Sequence, residues 1–461
     1  LVKYTGRYSF ATIRIMKDKQ IEVLIKAEKI RQKKVINLIP SENYVNQDVL
    51  TALGSEFNNK YAEGYPRARY YGGNENVDKV EELCQARALK LFKLKPDEWA
   101  VNVQPLSGSP ANLAVYYALV PMHGKIMGMA LDHGGHLTHG HKVSATGKFW
   151  TPVYYGVGMT PPPAPSPKER GSPPPFGGGR EGVSEVLDYE EIKKIAMREK
   201  PAIIVAGFTA YPRIVDWKKF REIADAVVHP EQGRRTLLMV DMSHLAGLVA
   251  GGAYPSPFPH AHIVTTTTHK TLRGPRAALI FSRKISVGNL FPALTVNKGN
   301  SPDKQVAGLK QFPTLDKLID RAVFPGLQGG PHVNQIASVA VALMEASKPE
   351  FKKYAKQVIK NAKALAGELK KLGWRLVSGG TDSHLILMDV WMGGKGIGGK
   401  EASDRLEKAG IIVNKNTIPF DTRSPMDPSG IRLGTPAETT RGKTEKDFVA
   451  IARKIDKILK Q

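Results

Sequence analysis

Four consecutive threonines precede a lysine in the segment Thr265 to Arg276. Apolar runs lie on both sides, Ala261 to Val264 and Ala277 to Phe281, so Lys270 is predicted at the end of a strand. A lysine held there and partly desolvated has a lowered pKa and acts as an amine nucleophile, which Schiff-base chemistry requires. The alternative is a structural lysine whose stem is buried and whose charge reaches solvent. The lysine alone does not distinguish these two roles.

Two other segments have the residue types that would complement a reactive lysine. Ser107-Gly108-Ser109 lies between a predicted strand and a predicted helix, where hydroxyls and free backbone N–H groups suit a phosphate. Asp241 ends the apolar run that begins at Leu237, and a buried carboxylate needs a cationic partner. A protonated pyridine nitrogen would serve, and so would the nearby His244. A lysine, an aspartate and a phosphate site together are what pyridoxal phosphate requires.

Three histidines, His133, His136 and His139, lie close together after Asp132. They could ligate zinc, but a Gly-Gly break separates them, and no cysteine pair or HExxH helix accompanies them. A histidine stacked on an aromatic cofactor and a purely structural histidine are the other two interpretations. No metal site is predicted.

A loop rich in tyrosine and glycine, Tyr61 to Gly73, contains one acid, Glu63. Aromatic hydroxyls around a carboxylate suit a cleft that moves protons, although a surface loop can have the same composition. Near the other end of the chain, Arg432 lies in an apolar run and could bind a carboxylate through two parallel hydrogen bonds. The segment Gln328 to Pro331 is either a second anion-binding backbone or a tight turn.

Short apolar strands alternate with helical patterns through most of the chain, which predicts an α/β fold with a mostly parallel sheet. After an amphipathic helix at 17–34, the predicted strands are 100–103, 202–205, 237–241 and 263–268, with helices at 111–120 and 217–228. From Phe351 a long helix, a strand at 385–390 and a final helix predict a smaller α+β domain. The predicted divisions are an N-terminal arm and helix (1–37), a large domain (38–345) with a Pro/Gly-rich insertion (160–182), a second irregular stretch (289–314) and a small C-terminal domain (346–461).

Composition excludes several classes of protein. No run reaches the ~18 uninterrupted apolar residues of a membrane span. The single cysteine, Cys84, allows no disulfide within the chain and fits a reducing compartment, so a cytoplasmic location is predicted. The net charge of +24 raises the question of nucleic acid, but the excess lies in helical segments with apolar stripes, which predicts solvated faces of packed helices. A basic RNA-binding protein is the non-enzyme alternative.

Residues before Lys17 are basic without acids, as in a transit peptide, and the folded chain could equally start at Met16.

From about Asn37 through Gly442 the sequence resembles the serine hydroxymethyltransferase family. The matching motifs are Leu38–Asn43, Lys60–Pro66, His133–Gly140, Val240–His244, Thr265–Arg276 and Gly430–Pro436. The resemblance implies a fold-type I, aspartate aminotransferase-like enzyme that uses pyridoxal 5′-phosphate. Its reaction would interconvert serine and glycine, with tetrahydrofolate or another reduced pterin carrying the one-carbon unit. Thr209 and the pair Ala277-Ala278 depart from the serine and the glycines usual in the family, without loss of a reacting group.

By motif match, the resemblance implies that Lys270 is the Schiff-base lysine, Asp241 the partner of the ring nitrogen and His136 the ring stacked on the pyridine. The other implied cofactor contacts are Ser107, Gly108 and Ser109 at the phosphate, His244 at the ring oxygen O3′ with Thr209 near it, Tyr61, and Gly329 and Gly330 from a partner subunit. The implied substrate contacts are Arg432 at the carboxylate, Ser41, Glu63, Tyr71 and Arg276. Glu63 would move protons, His269 and Thr267 would orient the lysine, and the implied pterin contacts are Leu131, Gly135, Leu137 and Asn416.

The implied assembly is a homodimer with shared active sites, in which Tyr61 and Tyr71 cross the interface, and pairing of dimers into tetramers is left open. The implied partners are serine, glycine and a reduced folate, without nucleic acid or membrane. An alternative on the same fold is a folate-independent β-hydroxy-amino-acid aldolase of the threonine type. The implied pterin contacts and Glu63 favour the folate-dependent reaction.

Overall fold

The structure is a computed structural model that describes residues 16–160, 184–229, 234–286, 288 and 314–461. Its α-helices in these ranges are α1 (Lys19–Lys34), α2 (Gln47–Leu53), α3 (Glu75–Leu91), α4 (Gly108–Leu119), α5 (Ala145–Phe149), α6 (Tyr189–Glu199), α7 (Trp217–Ala226), α8 (Ala246–Ala250), α9 (Leu315–Arg321), α10 (Val333–Ala346), α11 (Pro349–Lys371), α12 (Gly399–Lys408), α13 (Pro436–Thr440) and α14 (Glu445–Leu459). Its strands are β1 (Ile36–Asn37), β2 (Gly64–Tyr65), β3 (Ala68–Arg69), β4 (Trp99–Asn102), β5 (Lys125–Met129), β6 (Thr151–Tyr155), β7 (Val157–Thr160), β8 (Ser184–Leu187), β9 (Ile203–Gly207), β10 (Val228–His229), β11 (Arg234–Arg235), β12 (Leu237–Asp241), β13 (Ile263–Thr267), β14 (Ala278–Arg283), β15 (Arg375–Leu376), β16 (Leu385–Asp389), β17 (Ile411–Ile412), β18 (Asn414–Asn416) and β19 (Gly430–Gly434).

Seven strands form the central sheet, in the order β4-β14-β13-β12-β9-β5-β6. β14 is antiparallel to both of its neighbours, and the other neighbouring strands are parallel. The segments that follow β4, β5, β9, β12 and β13 therefore meet at one edge of the sheet. Ligands bind outside this carboxyl edge in sheets of this kind. The predicted α/β fold with a mostly parallel sheet is confirmed.

Successive residues of the central strands pack into two hydrophobic clusters, one on each face of the sheet. In β12, Leu238 and Val240 belong to one cluster, and Leu237 and Met239 belong to the other. Side chains alternate between the faces of a strand, and both faces are covered here, so the strand is apolar along its length. For this reason continuous apolar runs predicted β4, β9, β12 and β13 to within two residues of their observed ends, whereas β5 and β6 were not predicted.

The C-terminal part of the chain has its own antiparallel sheet, in the order β15-β16-β19-β18. Helix α11 connects the two cores, because Phe351 and Val358 pack with the central sheet while Leu365 and Leu369 pack with the small sheet. Leu38 also lies in the small-sheet cluster, next to the parallel pairing of β1 with β17. The small sheet and its helices stand over the carboxyl edge of the central sheet and supply one wall of the cavity described below.

Helix α1 is present as predicted, with Asp18 accepting backbone hydrogen bonds at its start, but none of its residues is buried. Its apolar residues are between 46% and 63% exposed: Ile21, Val23, Leu24, Ile25 and Ile30. The apolar stripe of this basic helix, which was expected to belong to a packed helix, is therefore not covered by the described part of its own chain. The basic helices α11 and α14 do bury their apolar stripes, as expected.

The Pro/Gly-rich insertion predicted at 160–182 and the irregular stretch predicted at 289–314 lie outside the described residues, except for Thr160 and Thr314. The two flanks of the insertion, β7 and β8, pair in antiparallel register. The transit-peptide-like segment before Met16 also lies outside the described residues. Within the described ranges, no helix has both the length and the apolar character needed to cross a membrane.

Candidate active site

A cavity of about 480 Å³ lies at the carboxyl edge of the central sheet. Segments that follow five parallel strands form one wall, and β18 and β19 of the small sheet form the other. Pockets of this size suit a cofactor or a small substrate. The predicted site residues that line it are Ser41, Ser107, Gly108, Ser109, His136, Thr209, Asp241, His244, Thr267, His269, Lys270, Arg276, Asn416 and Arg432.

Lys270 lies in the turn after β13 and is only 9% exposed. Burial lowers the pKa of its amine to about 8; the positive charges of Arg432 and Arg276 act in the same direction, and the negative charge of Asp241 opposes them. The side-chain amide of Asn43 holds the turn by donating a hydrogen bond of 3.0 Å to the carbonyl oxygen of Lys270. A fixed and partly deprotonated amine near neutral pH agrees with the nucleophile expected from the sequence.

Asp241 is the last residue of β12, and both of its carboxylate oxygens have partners. Oδ2 accepts a hydrogen bond of 2.9 Å from the Asn112 amide and lies 3.4 Å from Nε2 of His139, while Oδ1 accepts from the backbone N–H of Ser243. Burial by itself would raise the pKa of this carboxyl, but the His139 hydrogen bond and the positive charge of Lys270 bring the pKa well below its usual range. Asp241 is therefore an ionised carboxylate on the cavity wall, suited to a protonated ring nitrogen.

Helix α4 begins at the cavity, directly after the loop that follows β4. Its N-cap residue Ser107 has an extended backbone, and its hydroxyl makes no capping hydrogen bond, so that hydroxyl is available to a ligand. A Cβ on Gly108 would lie 2.7 Å from Cγ2 of Thr267, so only glycine allows the helix to approach β13 this closely. With Ser109 also on the wall, the start of the helix offers hydroxyls and N–H groups to an anion.

The three clustered histidines have different surroundings. The ring of His133 packs against Phe420, with 4.8 Å between ring centroids, and His139 faces the carboxylate described above. His136 lines the cavity, and its Nδ1 lies 2.7 Å from the hydroxyl of Thr138. Burial lowers the pKa of His136 to about 4, so this imidazole is neutral. Among the described residues, no group of three or more His, Cys, Asp or Glu side chains could hold a metal ion.

Arg432, on β19, brings a cation to the cavity from the small sheet. Its Nε donates a hydrogen bond to Oδ1 of Asn414 and its Nη1 donates to the carbonyl oxygen of Thr209. Burial lowers the pKa of this guanidinium to about 10, so it remains charged at neutral pH. No carboxylate of the described chain forms an ion pair with this half-buried cation. Because an arginine has five N–H donors, three remain for a ligand.

Two buried polar atoms on the cavity wall have no hydrogen-bond partner within the described ranges. They are Oγ1 of Thr267 and Nδ1 of His269, two residues that precede Lys270 in sequence. Buried polar groups are almost always paired, so these atoms indicate a ligand. An anion-binding helix start, an ionised carboxylate, a neutral imidazole and a buried amine surround one cavity. These groups fit the phosphate, ring nitrogen, ring face and aldehyde of pyridoxal phosphate.

A second set of predicted residues comes together on the surface, and none of them lines the cavity of its own chain. Tyr61 lies 3.4 Å from Oε1 of Glu63 and packs edge-to-face on Tyr71. Gly329 and Gly330 lie beside them, since an added Cβ would be 3.3 Å from Glu63 Oε1 and 3.2 Å from the Tyr61 ring, respectively. Tyr61 is 55% exposed and Tyr71 is 43% exposed. We call this set of five residues the tyrosine patch.

The predicted pterin contacts lie in the segment that follows β5 and on β18. Asn416, on β18, lines the cavity, while Leu131 begins a short 3-10 helix and Leu137 is 44% exposed beside the cavity residue His136. Gly135 lies so close to the main chain that an added Cβ would be 1.9 Å from the carbonyl oxygen of Met129. Of the four, the structure brings only Asn416 to the cavity wall.

Some residues that shape the site escaped the sequence analysis. Asn112, only 1% exposed, donates to Asp241 and Thr138 and accepts a hydrogen bond of 2.7 Å from the Thr265 hydroxyl. The available signal was a polar residue inside the apolar run of α4. His384, which is fully buried, lies 3.1 Å from His244 across the two sheets, and nothing in its local sequence indicated that partner.

Comparison with known proteins gives one consistent result. The family model for serine hydroxymethyltransferase matches residues 15–161 and 180–455. A serine hydroxymethyltransferase of Desulfotalea psychrophila is 46% identical over 455 residues, covering 99% of this chain and 92% of the relative. The cytosolic serine hydroxymethyltransferase of Saccharomyces cerevisiae is 46% identical over 445 residues, covering 95% of this chain and 85% of the relative. A putative mitochondrial serine hydroxymethyltransferase of Neurospora crassa is 46% identical over 445 residues, covering 94% of this chain and 73% of the relative.

Proposed function

The chain belongs to the serine hydroxymethyltransferase family, and from that premise we propose that the cavity at the carboxyl edge of its central sheet is the active site. The protein is a pyridoxal-phosphate-dependent transferase that interconverts serine and glycine, with tetrahydrofolate as the carrier of the one-carbon unit. It therefore acts in one-carbon metabolism and in the formation of glycine from serine. Its substrates are small molecules, which agrees with the size of the cavity.

The residues around the cavity would hold the cofactor from several sides. Bound pyridoxal phosphate supplies a ring that withdraws electrons from the reacting carbon of the amino acid. Ser107, Gly108 and Ser109 would bind its phosphate at the start of α4, and ionised Asp241 would keep a proton on its ring nitrogen. The neutral ring of His136 would cover one face of the cofactor ring. A charged imidazolium there would compete with the ring nitrogen for the negative charge of Asp241.

Lys270 would supply the amine that binds the cofactor covalently. Its pKa of about 8 leaves a useful fraction of the amine unprotonated near neutral pH, whereas an ordinary lysine would be almost fully charged. His269 and Thr267 line the same cavity, and their unpartnered Nδ1 and Oγ1 atoms are available to orient a bound group. Arg276 also lines the cavity and adds positive charge.

One observation carries the choice of substrate: Arg432 is a half-buried cation on the cavity wall with Lys270, without an acidic partner in the described chain. The α-carboxylate of serine or glycine would complete its hydrogen bonding through two parallel N–H donors. Holding that carboxylate fixes the amino acid relative to the cofactor, and so decides which bond of the α-carbon reacts. Ser41, on the same wall, would assist.

We propose further that the working unit is a homodimer in which the tyrosine patch of one copy completes the cavity of the other. Glu63 and Tyr61 do not reach the cavity of their own chain, yet they lie in an exposed aromatic cluster of the kind that interfaces bury. The uncovered apolar residues of α1 support the same proposal, since a second copy would bury them. Glu63 would then move protons at the hydroxymethyl group or the folate, near Leu131, Gly135, Leu137 and Asn416.

Location and the exact one-carbon carrier are also proposals. We infer a cytoplasmic location, which the name of the Saccharomyces relative supports, while the name of the Neurospora relative points to mitochondria. Fractionation of cells that express the tagged chain would distinguish these compartments. Turnover with tetrahydrofolate and with other reduced pterins would identify the carrier.

The folate dependence of serine cleavage tests the proposed function. We expect glycine to form from serine much faster with tetrahydrofolate than without it, in the purified protein loaded with pyridoxal phosphate. Serine cleavage that is indifferent to folate, together with rapid cleavage of threonine-type substrates, would favour the folate-independent aldolase instead. Retention on heparin that is lost in modest salt, without any visible absorbance of bound cofactor, would favour the RNA-binding alternative.

Complementation tests the shared site. In dimers that contain one Lys270→Ala chain and one Glu63→Gln chain, a shared site leaves one of the two cavities intact. Co-expression in equal amounts should therefore give about a quarter of the wild-type activity, because about half of the dimers are mixed. If Glu63 acted in its own chain, both cavities of every mixed dimer would be impaired and activity would stay near that of the separate variants.

A further inference from the structure

Two buried histidines from different parts of the fold meet behind the cavity. His244 follows β12 and lines the cavity, while His384 directly precedes β16 of the small sheet and is fully buried. Nδ1 of His244 lies 3.1 Å from Nε2 of His384, and the ring planes are 23° apart with centroids separated by 5.4 Å. A single proton must lie between these two nitrogens for the contact to be a hydrogen bond.

The charges around the pair keep both rings neutral. Burial lowers the pKa of His244 well below its usual range and that of His384 to about 3. The positive charges of Lys270 and Arg432, which face both rings, act in the same direction. Each ring therefore carries one proton, and the position of one proton determines the position of the other.

The second nitrogen of His384 decides between the two arrangements. Nδ1 of His384 is buried without a partner among the described residues. If that nitrogen carried the proton, a buried N–H donor would be left unpaired, which is rarer in proteins than an unpaired acceptor. The favoured arrangement has the proton on Nε2 of His384, which donates it to Nδ1 of His244. His244 must then carry its own proton on Nε2, the nitrogen left for the cavity.

We propose that His384 is a positioning residue that fixes His244 as its Nε2–H tautomer, so that His244 presents a hydrogen-bond donor to the cavity. This deepens the proposed function and rests on it, since the acceptor would be the ring oxygen of pyridoxal phosphate. The contact also connects the small sheet to the lysine turn, because the carbonyl oxygen of His244 accepts a hydrogen bond of 3.0 Å from the Thr271 hydroxyl. His384 acts on the cofactor only through His244.

Nitrogen NMR of the cofactor-free protein tests the tautomer directly. In protein labelled with ¹⁵N-histidine, two-bond proton–nitrogen correlations distinguish protonated from unprotonated ring nitrogens, and loss of signals in His384→Gln and His244→Gln assigns the two rings. We expect protonated Nε2 and unprotonated Nδ1 in both rings. A proton on Nδ1 of His244 would overturn the proposal. This NMR measurement needs no cofactor and no activity, so it tests the tautomer even if the proposed function is wrong. Failure of the proposed function would be recognised separately, because neither the wild type nor any variant would show the absorbance of bound cofactor.

A matched pair of variants tests the consequence for the cofactor. His384→Met keeps a side chain of similar size without a donor, whereas His384→Gln offers an amide donor near the position of Nε2. Loss of the donor to the ring oxygen should raise the pH midpoint of the cofactor's visible absorbance by about half a unit to one unit in His384→Met. His384→Gln should return it toward the wild-type value. Equal midpoints in both variants, whether shifted or not, would reduce His384 to a packing residue and overturn the proposal, and if His384→Met does not fold, the NMR result on the wild type decides.

Discussion

Replacing Arg432 with glutamine is the substitution whose effect follows most directly from the geometry of the cavity. The variant keeps a polar side chain on β19 that reaches about as far as Nε of Arg432, but it removes the positive charge and the Nη donors. Nε and Nη1 of Arg432 have protein partners, and three N–H groups remain for the substrate carboxylate. The loss should therefore fall on amino-acid binding, and the cofactor site should be little affected.

The magnitude follows from the environment of the guanidinium. Truncating one partner of a desolvated, hydrogen-bonded charge pair costs about 2 to 5 kcal/mol, which corresponds to a loss of about 30-fold to 5,000-fold. We expect kcat/KM for folate-dependent serine cleavage to fall within that range. The dissociation constant of glycine, measured by the change in the visible spectrum, should rise in parallel, while the absorbance of bound cofactor in the absence of amino acid should stay close to that of the wild type.

Arg453→Gln is the matched control. Arg453 lies on α14 of the same small domain, is paired with Glu368 and has a side chain that is 67% exposed. Surface ion pairs of this kind contribute little, so its kinetics should not change measurably. If Arg432→Gln bound glycine within a few-fold of the wild type, or lost the cofactor instead, Arg432 would not be the carboxylate site.

Three other predictions concern different parts of the account. The rate at which added pyridoxal phosphate becomes covalently bound to the cofactor-free protein should rise with pH and level off above about pH 8, because the lowered pKa of Lys270 is about 8; continued increase to pH 10 would indicate an ordinary lysine. Glu63→Gln should retain bound cofactor and glycine affinity and lose most folate-dependent turnover, and unchanged turnover would remove Glu63 from the mechanism. Replacing Leu24 and Ile25 together with glutamine should shift sedimentation toward the monomer if α1 is buried between copies; an unchanged dimer would exclude α1 from the interface.

Strands such as β12 were predictable because they are buried on both faces, whereas the edge strand β6, which is partly exposed, was not predicted. Leu237 to Asp241 is a continuous apolar run with a charge at its end, and the structure places that charge at the cavity, where parallel strands end. The lysine was predicted at a strand end, whereas β13 stops at Thr267 and Lys270 lies in the following turn. Three of the four threonines before it donate to polar atoms of the protein, as the Thr268 hydroxyl does to the carbonyl oxygen of Pro275, and Oγ1 of Thr267 has no partner among the described residues.

Other parts of the site depend on contacts that no local pattern encodes. His384 and His244 are 140 residues apart in sequence, and their contact exists only because the small sheet closes over the large one. Helix α1 was correctly predicted from its periodicity, but the periodicity does not say which surface covers its apolar residues. The same limit applies to the tyrosine patch, whose composition indicated a proton-handling loop without indicating which copy's cavity it would serve.

Mapping the covalent attachment of pyridoxal phosphate tests the central claim most directly. The loaded protein would be reduced with borohydride and digested, and the modified peptide would be identified by mass spectrometry, with Lys270→Ala as the matched control. The geometry of the cavity predicts a single modified residue, Lys270, and no reducible linkage in the variant. Modification of a different lysine in the wild type, or a linkage that persists in Lys270→Ala, would contradict the assignment of this cavity as the active site.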